Sequence, residues 1–151
     1  MRADSMKIAV GMGLFAMLVG FAPAHARSRS CSQESAAGTY GYTNSGSIPA
    51  LGVFAFVSVG QATLDAAGTI SGNQTTSLNG AIAHERITGS FTVNADCTGT
   101  AVVNVFHGDT LVRTSLLDIV FVDNQNEIRA IILSAGTAIS GSLRRLSRAD
   151  D

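Results

Sequence analysis

"FTVNADCTGTAVVNVF", Phe91 to Phe106, reads as strand, turn and strand. Phe91 and Val93 alternate into the segment, and Ala101 to Phe106 leave it as an apolar, largely β-branched run. Between them, Asn94 to Gly99 are mostly residues that favour turns, because Asn and Asp bond to nearby backbone and Gly accepts left-handed torsions. The stretch predicts a hairpin with Cys97 at or beside its end. The same grammar extends in both directions. Turn signals recur about every ten residues, and no helical period stands out after Ala26, so the chain is expected to be all-β with short connections.

Eight strands are predicted: Gly38–Gly46, Val53–Asp65, Gly68–Leu78, Ala81–Val93, Thr100–Phe106, one within Leu111–Val122, one within Glu127–Leu133, and Gly136–Leu146. Side chains alternate along a strand, so Tyr40 and Tyr42 share a face, as do Val53, Ala55, Val57 and Val59. Gly60 suggests a bulge or bend within the second strand, and Gly89 a bend within the fourth. The third strand is polar and is expected to face water on one side. Asn79-Gly80 is a two-residue hairpin signal. A meander of eight strands removes its free edges by closing, which predicts a small antiparallel barrel of lipocalin-like architecture. Eight strands leave an interior that side chains fill or that holds one small ligand. A β-sandwich is the alternative, with immunoglobulin-like forms disfavoured because there is no tryptophan.

The N-terminus reads as a secretory signal. Arg2 and Lys7 precede an apolar or glycine run, Ile8 to Ala22, followed by Pro23 and Ala24-His25-Ala26. That is the charged, apolar and small-residue order of a signal peptide, with cleavage after Ala26. The run is shorter than the ~20 residues of a spanning helix, so no membrane span is expected after cleavage. The expected organisation is a signal at 1–26, a polar lead-in at 27–37, a barrel at 38–146 and a polar tail at 147–151. The location would be secreted or periplasmic. From Arg27 onward the charges are sparse and sum to about −2. With no basic stripe, nucleic acid is not an expected partner.

Cys31 and Cys97 are the only cysteines. An even count in an exported chain suggests a disulfide, and this pair would close a loop of about 65 residues, worth up to ~4 kcal/mol on the chain-entropy model. A lipidated Cys31 and a free nucleophilic Cys31 are the other readings. Arg27-Ser28-Arg29-Ser30 is not the small apolar lead of the first, and neither histidine that would remain after cleavage, His84 or His107, lies near in sequence for the second.

Four segments taken together carry a resemblance: Cys31, "GTYGY" (Gly38 to Tyr42), "DAAGTISG" (Asp65 to Gly72) and "FTVNADCTGT" (Phe91 to Thr100). The chain resembles a group of small, uncharacterised secreted bacterial proteins with a cysteine shortly before GTYGY, a DGxGxxSG-like segment and YTVNxDCTGT. Ala66-Ala67 departs from the Gly-x usual in that group. The resemblance implies a paired cysteine and a small β-barrel, and it implies no activity.

The search for chemistry excludes more than it finds. His84-Glu85-Arg86 begins like a zinc-binding H-E-x-x-H, but Thr88 stands where the second histidine is required. Glu85 and Arg86 are therefore expected on a solvent face, and His107 in an exposed turn. No nucleophile elbow, phosphate loop or dinucleotide fingerprint is present, so no catalytic residue, metal ligand or cofactor is assigned. The sixth and seventh strands are apolar on both faces, more than a water-exposed antiparallel strand requires. Arg113, Asp118 and Arg129 interrupt that pattern. If inward, they would be convergent polar groups in an apolar pocket and the candidate ligand-binding residues. Three function classes follow: a barrel binding a small apolar ligand, a structural or self-associating envelope protein with a filled core, and a cyclase- or isomerase-like barrel enzyme on a lipid-like substrate. A cavity with convergent polar groups would favour the enzyme, one without them the carrier, and a filled core with an outer apolar patch a homo-oligomer.

Overall fold

A computed structural model describes residues 30–149. The expected signal segment, the start of the lead-in and the last two residues lie outside the described residues. Eight strands form one closed antiparallel barrel: β1 (Gly38–Ile48), β2 (Val53–Leu64), β3 (Thr69–Leu78), β4 (Ala81–Val93), β5 (Thr98–His107), β6 (Thr110–Val122), β7 (Glu127–Ile132) and β8 (Ala138–Arg148). Each strand pairs with its sequence neighbour, and β8 closes on β1 through pairs such as Tyr42 with Leu143. β8 runs on to Arg148, so the expected tail begins as strand.

The turns follow from their residues. Asn79 and Gly80 both take positive φ, 49° and 92°, which a two-residue hairpin of the right twist requires. Neither Gly60 nor Gly89 marks a bulge. Gly60 and Gly89 sit in unbroken register with both neighbouring strands. Gly60 is there for space, since a Cβ on it would lie 2.8 Å from the Tyr42 ring. β1 is irregular instead, between Gly46 and Ile48 against β2 and between Thr39 and Tyr40 against β8.

Alternation sorts each strand into an inner and an outer row. Tyr40 and Tyr42 both point inward and are buried. In β2 the apolar row containing Val57 and Val59 is the exposed one, while Phe56, Ser58, Ala62 and Leu64 face the core. β3 faces water on one side as expected, through Thr69, Ser71 and Asn73, while its inner row carries two buried polar side chains, Gln74 and Thr76. The strands expected to be apolar on both faces resolve into a core row with Ile119, Phe121 and Ile128, and an exposed row with Leu116, Ile131 and Leu133.

One end of the barrel is stoppered by the lead-in. Its single turn of helix, α1 (Gln33–Ala36), starts at Ser32, whose side chain accepts from the Ser35 backbone N–H while Ser35 reciprocates. Cys31 is disulfide-bonded to Cys97 in the β4–β5 turn, so the lead-in is tied at this end of the barrel. Tyr40 Oη donates to the Ala36 carbonyl at 2.8 Å and faces the Gln125 carbonyl at 3.1 Å. Arg145 on β8 donates to the carbonyls of Ala37, Ser35 and Gln125, each at 2.8 Å.

The β6–β7 turn completes the stopper. Asp123, Asn124 and Gln125 all have left-handed φ, 51°, 52° and 65°. Non-glycine residues hold such torsions only where the surroundings over-determine them. Here the Gln125 side chain accepts from Ser35 Oγ at 2.8 Å, and its carbonyl serves both Tyr40 and Arg145.

Candidate ligand-binding cavity

The barrel encloses a cavity of about 100 Å³. Its stoppered half is apolar, with Leu64, Ile70, Phe91, Ile119 and Ile128 among the wall residues. These positions are inward on five different strands, so the lining is a product of closure and not of any local motif.

Towards the other end the wall turns polar. Arg113 reaches from β6 past β5 to Glu85 on β4 and forms a two-pronged ion pair. Nη1 lies 2.9 Å from Oε1 and Nη2 lies 2.9 Å from Oε2. Glu85 Oε2 also accepts from Thr76 Oγ1 at 2.6 Å and Gln74 Nε2 at 2.7 Å, and Gln74 Oε1 accepts from Tyr42 Oη at 3.0 Å. The network thus links β1, β3, β4 and β6. The guanidinium carbon of Arg113 also lies 5.9 Å from the Phe56 ring centroid, which brings β2 to the same point. Asn44 Nδ2 donates to Ser58 Oγ at 3.0 Å in the adjoining layer.

Burial divides the ion pair unequally. The Glu85 side chain is 4% exposed and that of Arg113 26%, so Arg113 both lines the cavity and meets solvent. Burial pushes the Glu85 carboxyl up, but hydrogen bonds from Arg113, Thr76 and Gln74 outweigh it and hold the group below the usual carboxylate range. Burial drives the Tyr42 phenol far above the ordinary tyrosine value, and the positive Arg113 offsets only part of that rise. Near neutral pH the network is therefore a carboxylate, a guanidinium and a neutral phenol.

The three candidate ligand residues do not converge. Arg113 lines the cavity, whereas Asp118 and Arg129 are exposed on the outer face. Their neighbours explain the split. Leu117 and Ile119 hold the inner positions on either side of Asp118, and Ile128 and Ala130 flank Arg129. Arg129 Nε pairs with Glu127 instead. Glu85 corrects the solvent-face expectation, while Arg86 and His107 are exposed as expected, and His84 is exposed too. Period-two counting from Ile87 and Phe91 puts Glu85 on the inner row of β4, a signal the aborted zinc motif masked. Among the described residues, no group of three or more His, Cys, Asp or Glu is placed to hold a metal ion.

No protein-family model matches the chain, and no curated protein matches it. Among solved structures it is similar to a redesigned β-barrel, mFAP1, determined bound to DFHBI. The TM-score is 0.53 and the identity 17%, over 76% of this chain and 98% of that one. The likeness shows the fold: an all-β closed barrel. Among the described residues no helix is long and apolar enough to cross a membrane.

Proposed function

We propose that this is an exported barrel that binds a small, mostly apolar molecule in its interior. The observation that carries the reading is the cavity of about 100 Å³, apolar over its stoppered half and polar where Arg113 meets solvent. An apolar void of comparable size, about 150 Å³, takes up benzene in another protein, so the volume suits a ring or a short chain. Pockets of this kind place a few polar groups in an otherwise apolar wall to fix orientation. The likeness to a barrel solved with a bound small molecule is consistent with this reading and adds no residue to it. Export, to the periplasm or beyond, is supported by the apolar N-terminal run and by the disulfide.

Two observations favour other readings. Val102, Leu116, Ile131 and Leu133 make an exposed apolar band on β5, β6 and β7, which suits self-association. The convergence of Tyr42, Gln74, Glu85 and Arg113 suits a barrel enzyme, but an acidic Glu85 and a strongly raised Tyr42 are poorly matched to proton transfer near pH 7. Native mass spectrometry of the oxidised protein decides among them. A non-covalent adduct of about 100 daltons, lost on denaturation, is the expected result. A bare chain that also fails to take up added small apolar molecules sinks the binding reading, and an integral multiple of the chain mass moves it to a self-associating protein.

A further inference from the structure

We infer that the cavity selects an uncharged ligand whose polar end accepts hydrogen bonds, such as a ketone, ester or amide, and that Glu85 is the residue that excludes carboxylates. The inference rests on the binding reading above and specifies its ligand class.

Two donors on one row of β6 define the polar end. A guanidinium carries five N–H groups, and Glu85 engages two of those on Arg113. The others have no acceptor among the described residues, and Arg113 lines the cavity. Ser115 follows on the same inner row of β6. It is buried, 8% exposed, and lines the same cavity, and its hydroxyl has no hydrogen-bond partner among the described residues. Among the described residues the buried side-chain atom without a partner is Arg145 Nε; the Ser115 oxygen keeps some accessible surface, so its unbonded hydroxyl is a donor open to the cavity. A ligand acceptor placed against Ser115 and Arg113 would take it.

Charge decides which acceptor. A lone arginine in an apolar pocket would attract an anion. This one is already neutralised by a two-pronged carboxylate that itself accepts from Thr76 and Gln74. A second carboxylate entering beside it would lose its hydration and stand close to Glu85 with no uncompensated positive charge to meet it. An uncharged carbonyl takes the same N–H and O–H donors without that cost.

The test uses two probes with the same number of heavy atoms, methyl pentyl ketone and hexanoate, titrated at neutral pH into the oxidised protein and followed by NMR. The wild type should bind the ketone at least about tenfold more tightly than hexanoate, with shifts at Ser115 and Leu117. Ser115→Ala removes one donor and leaves no protein group unpaired, so it should fold. It should weaken the ketone by roughly three- to tenfold, the effect of one hydrogen bond, and leave hexane uptake unchanged. Glu85→Gln frees the Arg113 charge and should reverse the preference in favour of hexanoate. Equal or tighter wild-type binding of hexanoate overturns the inference, as does a ketone affinity indifferent to Ser115→Ala. Binding of neither probe, or shifts confined to the outer face, overturns the binding reading itself and this inference with it.

Discussion

The guanidinium carbon of Arg145 lies 5.1 Å from the centroid of the Tyr40 ring, and the two side chains reach a common acceptor, the carbonyl of Gln125. One comes from the first strand and the other from the last, so the contact straddles the seam where the barrel closes. It also holds the stopper, because Arg145 bonds the carbonyls on either side of Ala36 and Tyr40 bonds that of Ala36 itself.

Arg145→Met should therefore cost about 1–3 kcal/mol, within the usual range for a single substitution that breaks a hydrogen-bond network. Arg145→Lys keeps the charge but not the fork and should recover only part of it. Urea unfolding midpoints at constant m-value measure both. A loss for the methionine variant within experimental error of zero would mean the stopper is held by something else.

The Cys31–Cys97 bridge has a sequence separation of 66, for which the chain-entropy model gives up to about 4 kcal/mol. Reducing it, or replacing both cysteines by alanine, should lower stability by at most that amount and leave β-sheet circular dichroism intact at low denaturant. The intact chain should weigh two hydrogens less than the sum of its residues. A chain without that deficit removes the bridge from the account.

Both tyrosines of the protein are interior, and burial raises the pKa of each. An unfolded tyrosine ionises near pH 10. Their protonated forms add stability that is complete below that pH and is lost as the pH climbs from there towards the folded values. Absorbance of the phenolate should thus stay flat through about pH 10 and then rise in one step together with unfolding. A smooth, reversible titration near the free-tyrosine value would place at least one ring in water.

Glu85 works in the opposite direction. Its folded pKa is depressed, so its contribution is complete above the unfolded glutamate value of about 4.3 and disappears as pH falls through the folded one. Stability should drop over that acidic window, and Glu85→Gln should flatten the drop. Asp65 and Asp96, both depressed by hydrogen bonds from a threonine, Thr69 and Thr98, give a background slope that the variant will retain. An unchanged slope in Glu85→Gln would show the network is not made in solution.

Val103 lines the cavity near Ser115, its cross-strand partner. Val103→Phe should fill the void and abolish uptake of small apolar molecules by more than tenfold, with a stability change within the ~1–3 kcal/mol typical of added core volume. Isothermal titration with the ketone probe, beside a thermal melt, reads both. Undiminished uptake would place the ligand elsewhere.

Strand number, order and most boundaries were legible because Asn79-Gly80 and the Asn94–Gly99 turn announce themselves through backbone chemistry. The cysteine pairing was legible by count. The site was legible only in Arg113. Asp118 and Arg129 were misplaced because a run apolar on both faces hides its phase, and a one-residue error in phase turns every side chain to the other face. Glu85 and Arg113 stand 28 residues apart and meet only through the register of β4, β5 and β6, which no local pattern encodes.

The position of the cysteines also sets an order of assembly. β1 to β4 lie between Cys31 and Cys97, while β5 to β8 follow them. A chain emerging from its N-terminus can oxidise as soon as the fourth strand is out, and it then presents a tethered half-sheet with two open margins. Only the arrival of β8, bringing Arg145 and the partners of β1, removes those margins. A chain truncated before Ala138 would keep its disulfide and lose its closure, leaving β1 and β7 free to recruit strands from other molecules.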